Sequence, residues 1–160
     1  MKEINRQGAK IIILLFFALG LLAGAKRPAV ITVETAPVTV AAGQSADAQI
    51  TVKVKSGYHV QANPASEEYL IPTKLDVKST SDLEAGNPVY PKGQPFKLEG
   101  SDKPLATYVD SFVIKVPVKA DAKAHPANET LQGVLRYQAC DAHSCLFPDS
   151  IPVELPVTIK

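Results

Sequence analysis

Tryptophan is absent from this 160-residue chain, methionine occurs once, and cysteine only twice, at Cys140 and Cys145. An antibody-type staple joins two sheets through cysteines tens of residues apart, with a tryptophan packed on the bond. Neither part is present here. There is no Cys-x-x-Cys knuckle of the structural zinc kind. No serine sits in a Gly-x-Ser-x-Gly setting, and the three histidines are scattered, so no hydrolase constellation stands out. No block of like charge is present and the formal net charge is +1, which excludes the basic face that nucleic-acid binding needs. Internal repeats, low-complexity tracts, interdomain linkers and a helical apolar stripe of ten or more residues are also missing.

Long apolar runs are missing except one. Lys2, Arg6 and Lys10 precede a 13-residue apolar stretch, Ile11 to Ala23, and Ala23-Gly24-Ala25 follows as a small-x-small site. That order is the pattern of a secretory signal peptide. The stretch is short for a membrane span, which needs roughly 20 residues; an uncleaved anchor is the alternative. The expected division is a signal peptide over 1–25 and one domain over 26–160. The first 25 residues hold three of the 17 basic and one of the 16 acidic side chains, so the remainder is net −1. Export implies an oxidising compartment, in which two cysteines can form and keep a disulfide.

The rest of the chain reads as all-β. Ile50, Val52 and Val54 alternate with polar residues; so do Phe112, Ile114, Val116 and Val118, and Val153, Leu155, Val157 and Ile159. Period-two patterning marks strands with one buried and one wet face. Shorter candidates are Val30 to Glu34, Tyr58 to Ala62, Thr73 to Val77 and Leu131 to Gln138. Turn chemistry at Ala42-Gly43-Gln44, Ser56-Gly57, Gly86-Asn87-Pro88 and Pro91-Lys92-Gly93 separates them. The expected fold is a β-sandwich or Greek-key barrel. Pro152 and Pro156 place the last strand at a sheet edge, or give it a bulge, because proline cannot donate to the ladder. Residues 63–72 and 87–103 are the expected long loops.

The cysteine pair is the best lead to function. Closing a loop of about six residues restrains the unfolded chain by roughly 2 kcal/mol, against nearly 5 for about 100 residues. A local disulfide therefore adds little stability, yet its sulfurs stay together after reduction and the bond re-forms readily. The pair is expected on an exposed turn or hairpin tip. Asp141 would raise a neighbouring thiol pKa, and a protonated His143 would lower it. Spacing alone leaves redox exchange and an inert hairpin staple both open, the latter in a non-catalytic binding module. A third reading joins Cys140, His143, Cys145 and His59 in a metal site.

The segment YQACDAHSCLFP (Tyr137 to Pro148), followed by Ile151-Pro152-Val153, resembles the cysteine motif of the N-terminal domain of the DsbD thiol:disulfide interchange family. Gly57 to Val77, Tyr90 to Gly100 and Leu105 to Lys119 resemble further stretches of it, in the same order. His59 and Gln61 stand, in part, where that family carries tyrosines, and four residues rather than five separate the cysteines. The resemblance implies an immunoglobulin-like β-sandwich with the pair on a hairpin. It implies a periplasmic thiol:disulfide oxidoreductase activity, relaying electrons between thioredoxin-fold proteins, with a membrane electron-transfer protein as a further partner. Cys145 would form the mixed disulfide and Cys140 would resolve it. Tyr90 and Phe96 are the candidates for an aromatic cap, and Tyr137 flanks the pair. No cofactor and no resident metal are expected.

Overall fold

The computed structural model describes residues 29–99 and 102–160. The signal-peptide reading over 1–25 lies outside them. Twelve strands and no helix occur among the described residues, so none holds a helix long and apolar enough to cross a membrane. The strands are β1 (Ile31–Thr35), β2 (Val38–Val40), β3 (Ser45–Val54), β4 (His59–Gln61), β5 (Lys74–Val77) and β6 (Leu83–Ala85). They continue with β7 (Gln94–Phe96), β8 (Leu105–Tyr108), β9 (Ser111–Ala120), β10 (Ala127–Tyr137), β11 (Ala139–Cys140) and β12 (Asp149–Ile159).

Three four-stranded sheets result, in the orders β1-β3-β9-β6, β2-β12-β10-β5 and β11-β4-β8-β7. The first two carry the period-two strands. Their inner positions, among them Ile50, Val52, Ile114, Val116, Leu131, Leu135, Leu155 and Val157, are almost wholly removed from water and belong to one apolar cluster. Each such side chain contributes about 1.5–3 kcal/mol on burial. This is the all-β sandwich that the alternation calls for, of the immunoglobulin-like kind that the resemblance implies.

Two expectations need correcting. β12 is an edge strand only in part: it lies between β2 and β10, but β2 reaches only its last three residues, and its register with β10 runs one to one from Asp149 to Ile159, without a bulge. Pro152 and Pro156 are tolerated because β2 covers only Val157–Ile159. Beyond that point the side of β12 away from β10 has no ladder partner to miss the two N–H groups. The stretch 87–103 is not one open loop either. Gln94–Phe96 pairs with β8, and Val89 bridges to Lys115. Residues 63–72 do form a strandless connection.

The third, small sheet holds the cysteines. The Ser56-Gly57 turn, with Gly57 at φ 84°, leads into β4; a positive φ of this size favours glycine. Further along the chain β10 ends at Tyr137. After the single residue Gln138 the chain re-enters a ladder as β11, now against β4. The Gln138 carbonyl accepts the Gln61 N–H at 3.0 Å, which fixes this change of sheet.

Candidate functional site: a disulfide hairpin with one buried sulfur

Cys140 ends β11, and the chain turns back through Asp141–Ser144 to Cys145. The Leu146 N–H donates to the Ala139 carbonyl at 2.7 Å, and the Asp141 N–H to the Ser144 carbonyl at 2.9 Å. One carboxylate oxygen of Asp141 accepts the N–H groups of His143 and Ser144, both at 2.8 Å. These donors hold the Asp141 carboxyl below its usual pKa, so it is ionised at neutral pH. The geometry brings the cysteine Cα atoms to 3.9 Å, and the sulfurs are joined as a disulfide.

The two sulfurs do not share one environment, contrary to the expectation of an exposed tip. Cys140 is 0% exposed, whereas Cys145 is only half-buried. The reason is the ladder: Cys140 pairs with His59 and Ala139 with Val60, so β11 is covered by β4.

All three residues of β4 are buried. The His59 ring lies against Phe96 with centroids 3.7 Å apart and planes tilted by 33°. Burial lowers the His59 pKa, and the Asp141 charge acts weakly the other way. Gln61 is also fully buried. Its Nε2 donates to the Cys140 sulfur at 3.1 Å and lies 4.0 Å from the Cys145 sulfur. Thr73 fixes the strand beneath by donating its hydroxyl to the Gln61 carbonyl at 2.6 Å. His59 Nε2 and Gln61 Oε1 are buried without a hydrogen-bond partner. Such orphaned atoms are few in folded proteins, and both belong to the strand that faces Cys140.

The rim is tied to the hairpin from two directions. From the segment after β7, Glu99 donates its N–H to the Ala142 carbonyl at 3.3 Å, and its carboxylate meets His143 Nδ1 at 2.7 Å. From the junction between β10 and β11, the Gln138 side chain accepts the Ile71 N–H at 2.9 Å and donates to the Leu146 carbonyl at 3.2 Å. Between them a cleft of about 410 Å³ is lined by Tyr69, Leu70, Leu98, Leu105, Gln138 and Cys145. Beyond the hairpin a second cleft of about 430 Å³ includes Tyr137, Leu146 and Phe147. Phe147 is 79% exposed.

The residues singled out from sequence thus divide. Cys140, Cys145, His59 and Phe96 come together. Asp141 shapes the turn, and His143 reaches Glu99 rather than a sulfur. Tyr137 is buried beneath the second cleft with its hydroxyl 3.4 Å from the Asp149 carboxylate, and burial pushes its pKa up. Tyr90 belongs to the scaffold, its hydroxyl accepting the Leu75 N–H at 2.8 Å. No group of three or more His, Cys, Asp or Glu side chains converges as metal ligands do among the described residues. Sequence reasoning gave no role to Gln61, Gln138 or Glu99. The signal available for Gln61 was its place two residues after His59, on the same face of a strand.

Fold and site define an all-β sandwich that presents a two-cysteine disulfide on a small side sheet. The family model described as thiol:disulfide interchange protein DsbD, N-terminal, matches residues 27–155, and the chain belongs to that family. Among solved structures, the N-terminal periplasmic domain of ScsB from Proteus mirabilis is similar at 13% identity. That match covers 78% of this chain and 44% of that one, with a TM-score of 0.49. AggA, the major subunit of aggregative adherence fimbriae type I from Escherichia coli, aligns at 11% identity. There the coverage is 81% of this chain and 94% of that one, with a TM-score of 0.38. No curated protein matches in sequence.

Proposed function

We propose that the chain is an exported, periplasmic thiol:disulfide exchange domain that relays electrons between thioredoxin-fold proteins through Cys140 and Cys145. The observation that carries this reading is the asymmetry of the pair: one sulfur reachable beside a surface cleft, the other buried behind β4. A donor thiolate attacks the Cys145 sulfur and forms a mixed disulfide, and Cys140 leaves as thiolate. The donor's second thiolate then displaces Cys145, leaving a dithiol here and a disulfide on the donor. The reverse sequence reduces a downstream disulfide. The leader over 1–25 supplies export, and a membrane electron-transfer protein is the upstream partner of the donor.

Equilibration with glutathione buffers measures the reduction potential of the pair. A relay requires a value above about −300 mV; one well below that marks a bond that resists the thiol pool and sinks the proposal in favour of an inert staple.

A further inference from the structure

When the Cys140–Cys145 bond breaks, its electron pair arrives on a sulfur that is fully buried. A thiolate taken out of water is disfavoured unless something compensates its charge. The groups that face Cys140 come from three places. Asp141, next in the hairpin, is ionised and repels a thiolate. His59, opposite on β4, is held neutral by burial at neutral pH and brings no positive charge. Glu99 and His143 pair with each other at the exposed tip. The donor that does reach the sulfur is the Gln61 side-chain amide at 3.1 Å.

We propose that the Gln61 carboxamide is a catalytic group of the exchange, its Nε2–H holding the Cys140 sulfur as the electron pair of the broken bond arrives there. The proposal rests on the exchange reading and adds the group that stabilises its leaving sulfur. A donor thiolate forms a bond to the Cys145 sulfur, the Cys140–Cys145 bond breaks, and the negative charge passes from the donor sulfur to Cys140. The donor's second thiol, having given its proton to solvent, attacks the first donor sulfur and releases Cys145. Cys140 and Cys145 each then take up a proton, and the donor dithiol has become a disulfide.

The orphaned atoms fit the same account. In the disulfide form neither sulfur carries a proton, and Gln61 Oε1 and His59 Nε2 lie buried with no donor. Reduction supplies one, the S–H of Cys140. One carboxamide can therefore serve both reduced forms, with its N–H toward the thiolate and its oxygen toward the thiol. The 4.0 Å from Gln61 Nε2 to the Cys145 sulfur gives that sulfur a weaker hold. This inequality favours Cys140 as the leaving group and directs attack to Cys145.

The test uses dithiothreitol as the donor, so that no protein partner enters. In the two-cysteine protein, Gln61→Leu should slow reduction by about tenfold. In a Cys145→Ser background it should lower the thiolate fraction of Cys140 at neutral pH by about tenfold, read as a rise in the midpoint of its ultraviolet thiolate titration. A rate and a midpoint both within about twofold of the Gln61 protein overturn the proposal. Should Gln61→Leu not fold, the Cys145→Ser protein with Gln61 intact decides by NMR. The side-chain amide protons of Gln61 should shift with the same midpoint as the Cys140 Cβ, and resonances that stay put through that titration overturn the role. A failed Gln61 test leaves a measured potential above the limit, and hence the exchange reading, standing. A resistant potential removes the exchange reading whatever Gln61 does.

Discussion

His59 and Cys140 face each other across a ladder in which a histidine ring is packed on Phe96 and cut off from water. Burial makes the charged imidazole costly, so its folded-state pKa lies below the ordinary 6.5 while the unfolded chain keeps the ordinary value. In the window just below 6.5 the unfolded state binds more protons than the folded one, so stability is lost as pH is lowered. Above 6.5 the contribution is complete. Asp141, also depressed, acts in a separate window below 3.8. Thermal unfolding between about pH 7 and pH 5 should therefore show a declining midpoint. His59→Leu should flatten that decline; a decline of equal size in the variant would assign it to other groups. Gln138 makes a further residue-scale test. Its side chain joins Ile71 to Leu146 across the rim, so Gln138→Leu strands one backbone N–H and one carbonyl. The expected cost is about 1–3 kcal/mol by denaturant unfolding, with faster amide exchange at Ile71 and at the hairpin.

At the scale of elements, β7 is the piece that brings Phe96 to the site. Its approach depends on Gly93, where a Cβ would lie 2.6 Å from the Ala62 Cβ and 3.1 Å from the Ala106 Cβ. Neither neighbour has a flexible end to move aside. Gly93→Ala should push β7 off the small sheet at a cost of about 1–3 kcal/mol. It should also speed reduction of the disulfide by dithiothreitol, because Phe96 and Glu99 follow β7. An unchanged reduction rate in a destabilised variant would separate β7 from access to the sulfurs. The same elements show where sequence reading succeeds. β3, β9, β10 and β12 are ten or eleven residues long and declare themselves by alternation. β2, β6 and β7 have three residues each, too few for a period to show. Pro152 and Pro156 mark the part of β12 that pairs on one side only, and no pattern shows β2 joining its last three residues. The cysteine motif is legible because it is contiguous. The burial of Cys140 is not, because it depends on pairing with β4, which lies far away in the chain.

For the whole molecule, two sheets supply most of the core, and the third, which holds the disulfide, adds Val60, Tyr108 and Ala139 to the same apolar cluster. Inside the sandwich, Leu135 is fully buried, and Leu135→Ala should cost about 2–5 kcal/mol in denaturant unfolding. The disulfide closes only a short loop, so reduction should cost roughly 2 kcal/mol and leave the β-sheet circular dichroism in place. The central claim is that Cys145 is the sulfur a partner attacks and Cys140 the one that resolves. Its most direct measurement is covalent trapping with the two single-cysteine variants and a reduced-then-activated thioredoxin-fold protein. Cys140→Ser should accumulate a mixed disulfide through Cys145, while Cys145→Ser, its thiol buried behind β4, should give little. An adduct that forms with Cys145→Ser and not with Cys140→Ser would contradict the account.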